Sequence, residues 1–330
     1  MTHSDGTPAP QTPGTRLRAL LAAGQLIVAP GVFDGISAHL VRQMGFRAAY
    51  LTGAGAAASG FGLPDIGLVT GSEMAERAAM IGDAVGDLPL IADADTGYGA
   101  PINVVRTVRA YEKAGVAAIQ LEDQTFPKRC GHLPDKEVIS EAEFCAKLGA
   151  ALDARTDALI VARTDARAVL GLDAAIGRAS AYARAGADVI FVEAPRTAAE
   201  VEQIAKEVDA PLLINLVTGG LTPDAGPEYL QDLGYAIAIH PVDLFAAAAH
   251  AMIAALRELG GTLPSQPGRS PRDLFQLVGL DNWQAIGDAF PVPAAAAVPP
   301  ASTTAHTPAE LTDISVAAAG ISAALPEQKG

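Results

Sequence analysis

A short basic loop is the part of the sequence in which reactive side chains are most concentrated. The stretch FPKRCGHLPDK, residues 126–136, places Lys128, Arg129, Cys130 and His132 within five positions. A structural zinc site needs a second ligand pair at zinc-like spacing, which the sequence does not offer. A thiol flanked by cations is expected to ionise readily, which suits proton exchange or nucleophilic attack near neutral pH. Cys130 is therefore a candidate acid–base group, and the alternative is an incidental cysteine in a solvated basic loop.

Two aspartates end an apolar run in IADADTGYG, residues 91–99. Asp93 and Asp95 have the i, i+2 spacing that points both side chains the same way in an extended chain. Neighbouring carboxylates repel each other unless protons or a cation intervene, and a hard divalent ion is the simplest solution. Glu122 ends the next apolar run and is expected beside them. The pattern predicts a divalent metal site, with turn or helix-cap aspartates as the alternative.

A glycine-rich stretch, LTGAGAAASGFGLPD (residues 51–65), resembles the G-x-G-x-x-A fingerprint of dinucleotide sites. It runs into Pro64 rather than into a long helix, and no acidic residue ends a following strand at the spacing that the fingerprint requires. We therefore interpret it as a flexible loop whose backbone amides at Thr52, Gly53 and Ala54 bind a small anion. A tight loop without a ligand is the alternative.

Polar residues also end three later apolar runs. Arg163 in ARTDA offers a planar guanidinium that suits a substrate carboxylate. It would pair equally well with Asp165 or Glu193 in a structural role. Glu193 and Asn215 are further candidates for substrate contacts, with comparable structural alternatives.

The elements that must position these residues alternate between short apolar runs and helical segments of ten or more residues. This alternation is typical of βα units in a parallel sheet. Eight apolar runs are present, at residues 26–30, 48–51, 88–93, 116–121, 158–162, 188–192, 211–215 and 235–239. Because polar residues occupy nearly every carboxyl end, we predict an α/β fold with a (β/α)8 barrel, in which these ends converge on one face. An open doubly wound sheet is the alternative.

The composition restricts the class of protein. The chain has 330 residues, 50% hydrophobic side chains, a formal net charge of −14 and a pI near 4.8, so a nucleic-acid partner is not expected. The first fifteen residues lack the pattern of an export signal, and two cysteines cannot build a disulfide framework. We therefore expect a cytoplasmic protein. The longest apolar stretch, residues 243–256, is too short to cross a bilayer. It is predicted to be a buried helix, so no membrane partner is expected.

The chain is predicted to divide into three regions. Residues 1–15 are interpreted as a disordered extension, residues 16–290 as the barrel domain, and residues 291–330 as a disordered tail rich in Ala and Pro. Within the barrel domain, residues 270–290 form a further amphipathic helical segment. Cys145 lies at an apolar position of another helical segment and is predicted to be a core thiol.

The ordered set of motifs resembles the isocitrate lyase and phosphoenolpyruvate mutase superfamily over residues 16–290. The matching stretches are GLPD, DADTGYG, EDQ followed by KRCGH, ARTDA and GGLTP. The resemblance implies a modified (β/α)8 TIM barrel and a homotetramer in which an additional C-terminal helix is swapped between subunits. It also implies Mg²⁺, or Mn²⁺ in its place, as cofactor. The KRCGH loop would act as a lid, with Cys130 as catalytic thiol and Lys128 and His132 in the same catalytic loop.

The resemblance also assigns the ligands of the site. The metal would be bound by Asp93 and Asp95, and through water by Glu122 and Asp65. A small carboxylic-acid substrate would contact Thr52, Gly53, Ala54, Gly131, Arg163, Glu193 and Asn215. The implied reaction is a retro-aldol carbon–carbon cleavage, in which Cys130 exchanges a proton with the departing carbanion.

Three departures from methylisocitrate lyases narrow the expected substrate. Ala246, Thr218 and His240 stand where those enzymes usually carry an arginine, a glutamate and a tyrosine. Of the 2-hydroxy and 2-oxo acids that fit the family, such as methylisocitrate- or methylmalate-like acids and oxaloacetate, these changes favour a smaller dicarboxylate. A phosphonate-forming enzyme of the carboxyvinyl-carboxyphosphonate phosphorylmutase type is the main alternative. A barrel that binds acidic metabolites without turnover is another.

Overall fold

Eight parallel strands close into a barrel in the computed structural model, which describes residues 11–290. Each strand pairs with the next one along the chain, and the last strand pairs with the first. The strands are β1 (Ile27–Val32), β2 (Ala49–Leu51), β3 (Leu90–Asp93), β4 (Ala118–Glu122), β5 (Leu159–Thr164), β6 (Val189–Val192), β7 (Leu212–Asn215) and β8 (Tyr235–His240). Each predicted apolar run contributes a strand, so the predicted TIM barrel is confirmed and the open doubly wound sheet is wrong.

Helices connect the strands and surround the barrel. Many begin at a Ser or Thr whose hydroxyl accepts a hydrogen bond from a backbone N–H three residues on, as at Thr70, Ser140 and Thr197. The helices are α1 (Pro13–Ala22), α2 (Gly35–Gln43), α3 (Gly53–Ala56), α4 (Gly71–Val85), α5 (Pro101–Lys113), α6 (Glu141–Ala154), α7 (Ala166–Val169), α8 (Leu172–Arg184), α9 (Ala198–Glu207), α10 (Pro227–Asp232), α11 (Asp243–Glu258), α12 (Pro271–Gln276) and α13 (Leu280–Ala289).

The alternation of side chains along the strands divides the core into two layers. On β5, Leu159 and Val161 point into the barrel, where they pack with Phe191 and other strand residues. Ile160 and Ala162 point outward and pack in the layer between strands and helices. Leu17 of α1 is fully buried in the inner layer, so α1 covers the amino-terminal end of the barrel. The site is left to the opposite end.

The fold begins earlier than the sequence predicts. Thr12 caps α1, and the backbone N–H of Gly14 donates to Oδ2 of Asp157 at 2.7 Å. Residues 12–15 therefore belong to the domain, and the prediction of a disordered extension through residue 15 is wrong for them. The predicted disorder of residues 1–10 and 291–330 lies outside the described residues.

Helix α11 is buried on one face only. Ala249 and Ile253 are buried, whereas Met252 and Leu256 are 57% and 59% exposed. The prediction of a buried helix is wrong for this second face, because a helix on the outside of a barrel needs only one apolar stripe. No helix within residues 11–290 has the length and apolar character needed to span a membrane. Cys145 is half-buried and packs at the edge of the outer layer rather than inside it.

The segment predicted as one helix over residues 270–290 forms two helices, α12 and α13. Gly279 separates them with a φ of 80°, in the left-handed region that favours glycine. Leu274 and Phe275 of α12 pack in an apolar cluster with Phe33 from the β1 end. In this chain α12 thus packs on its own barrel, and exchange of the segment between subunits stays a prediction. The compact unit that contains the barrel ends at Gln284.

Candidate active site

The site lies at the carboxyl ends of the strands, where side-chain alternation brings polar groups into the mouth of the barrel. On β5, the inward positions Leu159 and Val161 are followed two residues later by Arg163. The same step of two residues reaches the other predicted strand-end side chains. It leads from Tyr50 to Thr52, from Ile91 to Asp93, from Phe191 to Glu193 and from Leu213 to Asn215. All of these polar residues are buried and line one cavity with Arg163.

Asp93 is held by hydrogen bonds from three directions. Nε2 of Gln120 and the backbone N–H of Asp95 donate to its Oδ1 at 3.2 and 3.1 Å. The hydroxyl of Tyr111 donates to its carbonyl at 3.0 Å. An added Cβ on Gly53 would lie 2.7 Å from Oδ2 of Asp93, which explains why α3 approaches the carboxylate through a glycine.

Asp95 does not continue the extended strand. Its φ of 48° is in the left-handed region, so the inference that extended backbone aligns Asp93 and Asp95 is wrong. Its carboxylate still faces the site, because Nζ of Lys128 lies 2.7 Å from its Oδ1. Lys128 forms a second ion pair with Asp65. Burial raises the pKa of Asp95 to about 7, against the opposing charge of Lys128.

The described part of the site contains more carboxylates than permanent cations. The carboxylates belong to Asp65, Asp93, Asp95, Glu122, Asp165 and Glu193, and the cations to Lys128, Lys136 and Arg163. Oε1 of Glu122 is buried without a partner among residues 11–290, whereas Oδ1 of Asp95 and Oε2 of Glu122 have only ion-pair contacts, with Lys128 and Arg163. Burial also raises the pKa of Glu122 well above its ordinary value. The site therefore has an excess of carboxylate groups, which a bound cation would neutralise.

The donor set fits a hard divalent ion such as Mg²⁺. Over the described residues, no three His, Cys, Asp or Glu side chains are close enough to form a metal cage by themselves. Mg²⁺ is usually held by one or two carboxylates, with water and substrate oxygens completing its octahedral shell. The unpartnered Oε1 of Glu122 and the ion-paired carboxylate of Asp95 are oxygen donors of the kind that such an ion uses without a preformed cage, and the assignment of the metal ligands stays a prediction.

Arg163 takes part in both predicted structural pairs and still faces the cavity. Its Nε and Nη2 donate to Asp165 at 2.9 and 3.1 Å. Its Nη2 lies 3.4 Å from Glu193, and its Nη1 lies 3.2 Å from Glu122. The guanidinium also lies 5.3 Å from the ring centroid of Phe191. These contacts fix the plane of the guanidinium before any ligand binds.

Cys130 is buried in the loop that is predicted to act as a lid, with 8% of the residue exposed. Its backbone N–H donates to the carbonyl of Asp65 at 3.1 Å. The expectation of a readily ionised thiol is wrong, because burial raises the pKa of Cys130 to about 12 and the charge of Asp65 adds to this effect. Lys128 is compensated by two carboxylates, so its charge does not offset the burial. The buried setting also contradicts a solvated loop with an incidental cysteine, and a neutral thiol suits a proton donor.

His132 joins the lid to the loop that follows β7. Its Nδ1 accepts a hydrogen bond from the backbone N–H of Leu221 at 3.1 Å. Its Nε2 lies 3.3 Å from Nδ2 of Asn215 and 3.5 Å from Glu193. Burial lowers the pKa of His132, which favours the neutral imidazole. These contacts give His132 a role in holding the closed lid.

The glycine-rich stretch is helical, so the prediction of a flexible loop is wrong. Thr52 caps α3 by accepting a hydrogen bond from the N–H of Gly55 at 3.2 Å, and a π-helical turn follows over Ala57–Phe61. The alanines of the stretch favour helix. Thr52 and Ala54 line the cavity and Gly53 packs on Asp93. The predicted residues thus reach the site at the first turn of a helix, where backbone N–H groups are available.

One wall of the cavity is apolar. It is formed by Ala54, Val217, Val242 and Pro271. The cavity measures about 30 Å³, which is space for a few waters and too little for the acids that the family resemblance implies.

None of the three residues that depart from methylisocitrate lyases adds a permanent cation to this cavity. Ala246 is 2% exposed in the apolar cluster behind the wall. The hydroxyl of Thr218 donates to Asp243 at 2.8 Å, and Nδ1 of His240 lies 3.0 Å from the same carboxylate.

Three residues of the site, Tyr50, Gln120 and Lys136, were not identified from the sequence, and a fourth, Asp165, was named there only as a structural partner of Arg163. Tyr50 donates to Oε1 of Gln120 at 3.1 Å, and Gln120 in turn holds Asp93. Asp165 fixes Arg163, and Lys136 pairs with Asp165. A signal existed for Gln120, because it is a polar residue at an inward position of an apolar strand. Lys136 has no such signal, since its partner lies 29 residues away in the chain.

Relatives with known names match most of the chain. A 2,3-dimethylmalate lyase of Eubacterium barkeri is 47% identical over 240 residues, which are 72% of this chain and 83% of that protein. A 2-methylisocitrate lyase of Aeropyrum pernix is 47% identical over 249 residues, 76% of this chain and 80% of that protein. A chloroplastic carboxyvinyl-carboxyphosphonate phosphorylmutase of Arabidopsis thaliana is 39% identical over 278 residues, 82% of each chain.

Solved structures agree with these relatives. Oxaloacetate acetylhydrolase in complex with 3,3-difluorooxalacetate superimposes with a TM-score of 0.74 at 37% identity, over 85% of this chain and 97% of that one. A 2,3-dimethylmalate lyase, described as a PEP mutase/isocitrate lyase superfamily member, superimposes with a TM-score of 0.74 at 38% identity. The match covers 84% of this chain and 95% of that one. A phosphonopyruvate hydrolase complex with oxalate and Mg²⁺ superimposes with a TM-score of 0.66 at 30% identity. The match covers 85% of this chain and 99% of that one.

The family expected from the motifs is confirmed, and with it the class of carbon–carbon lyases. The phosphoenolpyruvate phosphomutase family matches residues 17–260. The first relatives are lyases of small branched acids. This chain belongs to the PEP mutase/isocitrate lyase superfamily.

Proposed function

We propose that this protein is a Mg²⁺-dependent carbon–carbon lyase that cleaves a small 2-hydroxy dicarboxylate, or a 2-oxo dicarboxylate as its hydrate, in a retro-aldol type of reaction. One observation carries the proposal. The cavity at the barrel mouth brings a guanidinium (Arg163), a neutral thiol (Cys130) and a carboxylate with hard oxygens (Asp93) to a single apolar-walled space. Similarity to 2,3-dimethylmalate lyase and 2-methylisocitrate lyase supports the reaction class.

The predicted metal ligands support the choice of Mg²⁺. Asp93 and Asp95 would hold the ion directly, with Glu122 and Asp65 acting through water, and Mn²⁺ could replace it. When bound, the ion would supply Lewis-acid polarisation of the 2-oxo fragment of the substrate. A related phosphonopyruvate hydrolase contains Mg²⁺ together with oxalate, a small dicarboxylate.

The residues of the chain itself provide binding and proton transfer. Arg163, held in plane by Asp165, binds a substrate carboxylate. The closed lid excludes water and brings the Cys130 thiol to the cavity. Because burial keeps this thiol protonated, it donates its proton to the carbanion carbon of the departing acid. The 2-hydroxyl gives up its proton to a carboxylate of the site as the carbon–carbon bond breaks, and this proton restores the thiol. Glu193 and Asn215 orient the remaining substrate oxygens, and the N–H groups of Gly53 and Ala54 at the start of α3 bind an anionic end.

The charge and shape of the cavity favour a dicarboxylate over a tricarboxylate. Among the described lining residues, Arg163 is the one permanent cation. The opposite wall of Val217, Val242 and Pro271 suits an alkyl substituent. A third carboxylate would lie against this wall without a partner, which is unfavourable.

A substrate panel tests the proposal. Purified protein is assayed with Mg²⁺ and 2,3-dimethylmalate, 2-methylmalate, 2-methylisocitrate and oxaloacetate, and release of each acid product is followed by chromatography. We expect turnover of a dicarboxylate that EDTA abolishes, and a loss of about 10²–10⁴-fold in Cys130→Ser. A binding-only barrel would instead show thermal stabilisation by these acids without any product. That result would contradict the proposal that this protein is a lyase.

The phosphonate-forming alternative rests on the 39% identical phosphorylmutase. It predicts a new carbon–phosphorus bond, which phosphorus NMR detects directly. Testing a phosphoenolpyruvate-type substrate in parallel with the acid panel separates the two reactions.

We also propose a homotetramer located in the cytoplasm. Exposed apolar residues on two outer helices, at Leu40 of α2 and Leu256 of α11, support self-association. The role of Cys130 as a free thiol favours a reducing compartment, and Cys130 and Cys145 are both unpaired.

A further inference from the structure

A buried lysine that the proposed mechanism does not use lies just beyond the lid. Lys136 is 8% exposed. Its Nζ lies 2.7 Å from Oδ1 of Asp165 and donates to the carbonyl oxygen of Gly131 at 2.5 Å. One ammonium thus bridges a carboxylate at the end of β5 and the backbone of the lid. Burying a lysine is costly unless its charge is paired and its donors are used.

Asp165 is part of the rigid frame of the barrel. Its backbone N–H donates to Oδ1 of Asp123 at 2.9 Å. Asp123 is fully buried and also accepts hydrogen bonds from Thr164 and Tyr182, at 2.7 and 2.8 Å. With its backbone fixed in this way, the Asp165 carboxylate presents one set of lone pairs to Arg163 and another to Lys136.

The lid backbone at Gly131 lies directly on the substrate-binding side chains. An added Cβ on Gly131 would lie 2.6 Å from Nη2 of Arg163 and 2.6 Å from Cδ of Glu193. A lid residue can approach the guanidinium this closely only as glycine. The hydrogen bond from Lys136 fixes the carbonyl of this glycine.

We propose that Lys136 is a positioning residue that sets the lid in register with Arg163 through their shared partner Asp165. The inference rests on the proposed function, because it gives Arg163 and Cys130 the roles assigned there. The carboxylate of Asp165 orients both the guanidinium of Arg163, which binds substrate, and the ammonium of Lys136, which holds Gly131. Cys130, adjacent to Gly131, then reaches the cavity only when the lid is docked on a correctly oriented Arg163.

The side-chain chemistry explains why a lysine is needed at this position. An ammonium has three donors on one nitrogen, so it can bind a carboxylate and a carbonyl from a single point. Methionine keeps the length of the stem and removes both bonds. Arginine keeps the charge but spreads its donors over a planar fork that cannot reproduce the geometry. The Asp165 charge stays compensated by Arg163 in either variant, so folding does not depend on Lys136 alone.

The test measures lid docking separately from turnover. Cys145→Ser is made in every protein, so that Cys130 is the single cysteine, and its rate of alkylation by iodoacetamide reports lid opening. Lys136→Met and Lys136→Arg are compared with the control Arg155→Met. Arg155 forms an ion pair with Asp188 at the other end of the barrel, so the control also removes a cation from a carboxylate. Alkylation is measured with and without oxalate plus Mg²⁺ as the probe ligand.

We expect the rate of alkylation of Cys130 to rise about ten- to hundredfold in Lys136→Met, because this variant loses a charge-assisted hydrogen bond. The rise should be smaller in Lys136→Arg. We expect no change in Arg155→Met at a similar fall in melting temperature. If turnover is found, kcat should fall more than KM rises, because the ground-state carboxylate contact is retained. Unchanged alkylation in folded Lys136→Met would overturn the inference. Failure of the acid panel would remove the proposed function alone, since alkylation does not require turnover.

Discussion

Nζ of Lys128 lies 2.7 Å from Oδ1 of Asp95 and also pairs with Asp65, so the lid places its own cation among the carboxylates predicted to hold the metal. The lysine is buried, and burial opposes its charge while these carboxylates raise its pKa well above the ordinary value. Lid closure and the charge balance of the metal site are therefore linked through one side chain.

Replacing Lys128 by methionine should destabilise the metal-free protein by about 3 kcal/mol, because it leaves buried carboxylates unpaired. Saturating Mg²⁺ should restore part of this loss, since a ligand that binds the native state stabilises it. Urea unfolding with and without Mg²⁺ measures both effects. The control is Arg16→Met, whose partner Asp87 has a side chain that is 88% exposed. Its cost should stay below about 1 kcal/mol. Equal losses in the two variants would contradict the prediction.

The thiol of Cys130 should react slowly near neutral pH. Because burial raises its pKa to about 12, the thiolate fraction increases about tenfold for each pH unit up to pH 10. In a Cys145→Ser background, the ultraviolet absorbance of the thiolate, measured against a Cys130→Ser control so that lid opening is not required, should follow that slope without a plateau. A plateau near pH 7 would mean an activated thiolate and a different role for Cys130.

Arg163→Lys should impair substrate binding far more than its conserved charge suggests. A lysine cannot make the paired contacts of Nε and Nη2 with Asp165 or present a flat fork to a carboxylate. We expect kcat/KM to fall by about 10²–10³-fold, mainly through KM. Arg167→Lys is the matched control, because Arg167 makes the same kind of two-point contact with Glu200 outside the site. Similar losses in both variants would assign the effect to folding.

The strand-end residues of the site could be predicted because they follow a local rule. In a barrel strand the inward positions recur every second residue, so Arg163 after Val161 and Glu193 after Phe191 are fixed by sequence alone. Closure of the barrel then brings residues of different strands to one mouth. The same rule would have added Gln120 and Tyr50, whose polar groups occupy inward positions among apolar ones.

The parts that could not be predicted depend on contacts between distant segments. The pKa of Cys130 is governed by how deeply the lid is buried and by Asp65, which is 65 positions earlier in the chain. The basic residues beside Cys130 gave the opposite expectation, because sequence does not show that Lys128 is already paired. The turn at Asp95 was also missed, since a left-handed φ at an aspartate leaves no mark in an otherwise strand-like motif.

Glu112 provides a test of acid stability away from the site. Its half-buried carboxylate is opposed by burial, but backbone N–H groups of Asp157, Ala158 and Thr156 donate to it and lower its pKa. A carboxyl with a lowered folded pKa contributes stability above its unfolded pKa, and that stability is lost as pH falls through the folded value.

Glu112→Gln should therefore destabilise the protein at pH 7 by about 1–2 kcal/mol, a value reduced by its partial exposure. The difference should narrow as pH falls below the ordinary glutamate pKa of about 4.3, and the variant and the parent should converge only below the lowered folded pKa of Glu112, where both side chains are neutral. Urea unfolding between pH 3 and pH 7 measures the difference. A gap that stays constant over this range would show that the charge on Glu112 is not responsible.

The exposed apolar residues on α2 and α11 predict association of the barrel with copies of itself. Ile36, Leu40 and Met44 recur every fourth residue on α2, and Leu40 is 52% exposed. On α11, Met252 and Leu256 repeat the pattern. A stripe of this kind on each of two helices is costly in water, whereas single exposed apolar residues are common.

Leu40→Glu and Leu256→Glu should therefore shift the protein to smaller species in light scattering after gel filtration, with secondary structure unchanged. Met80→Glu, which alters a 38% exposed methionine on α4, should leave the mass unchanged. A parent protein that is monomeric at micromolar concentration would sink the proposal, because these stripes would then be stable in water without a partner.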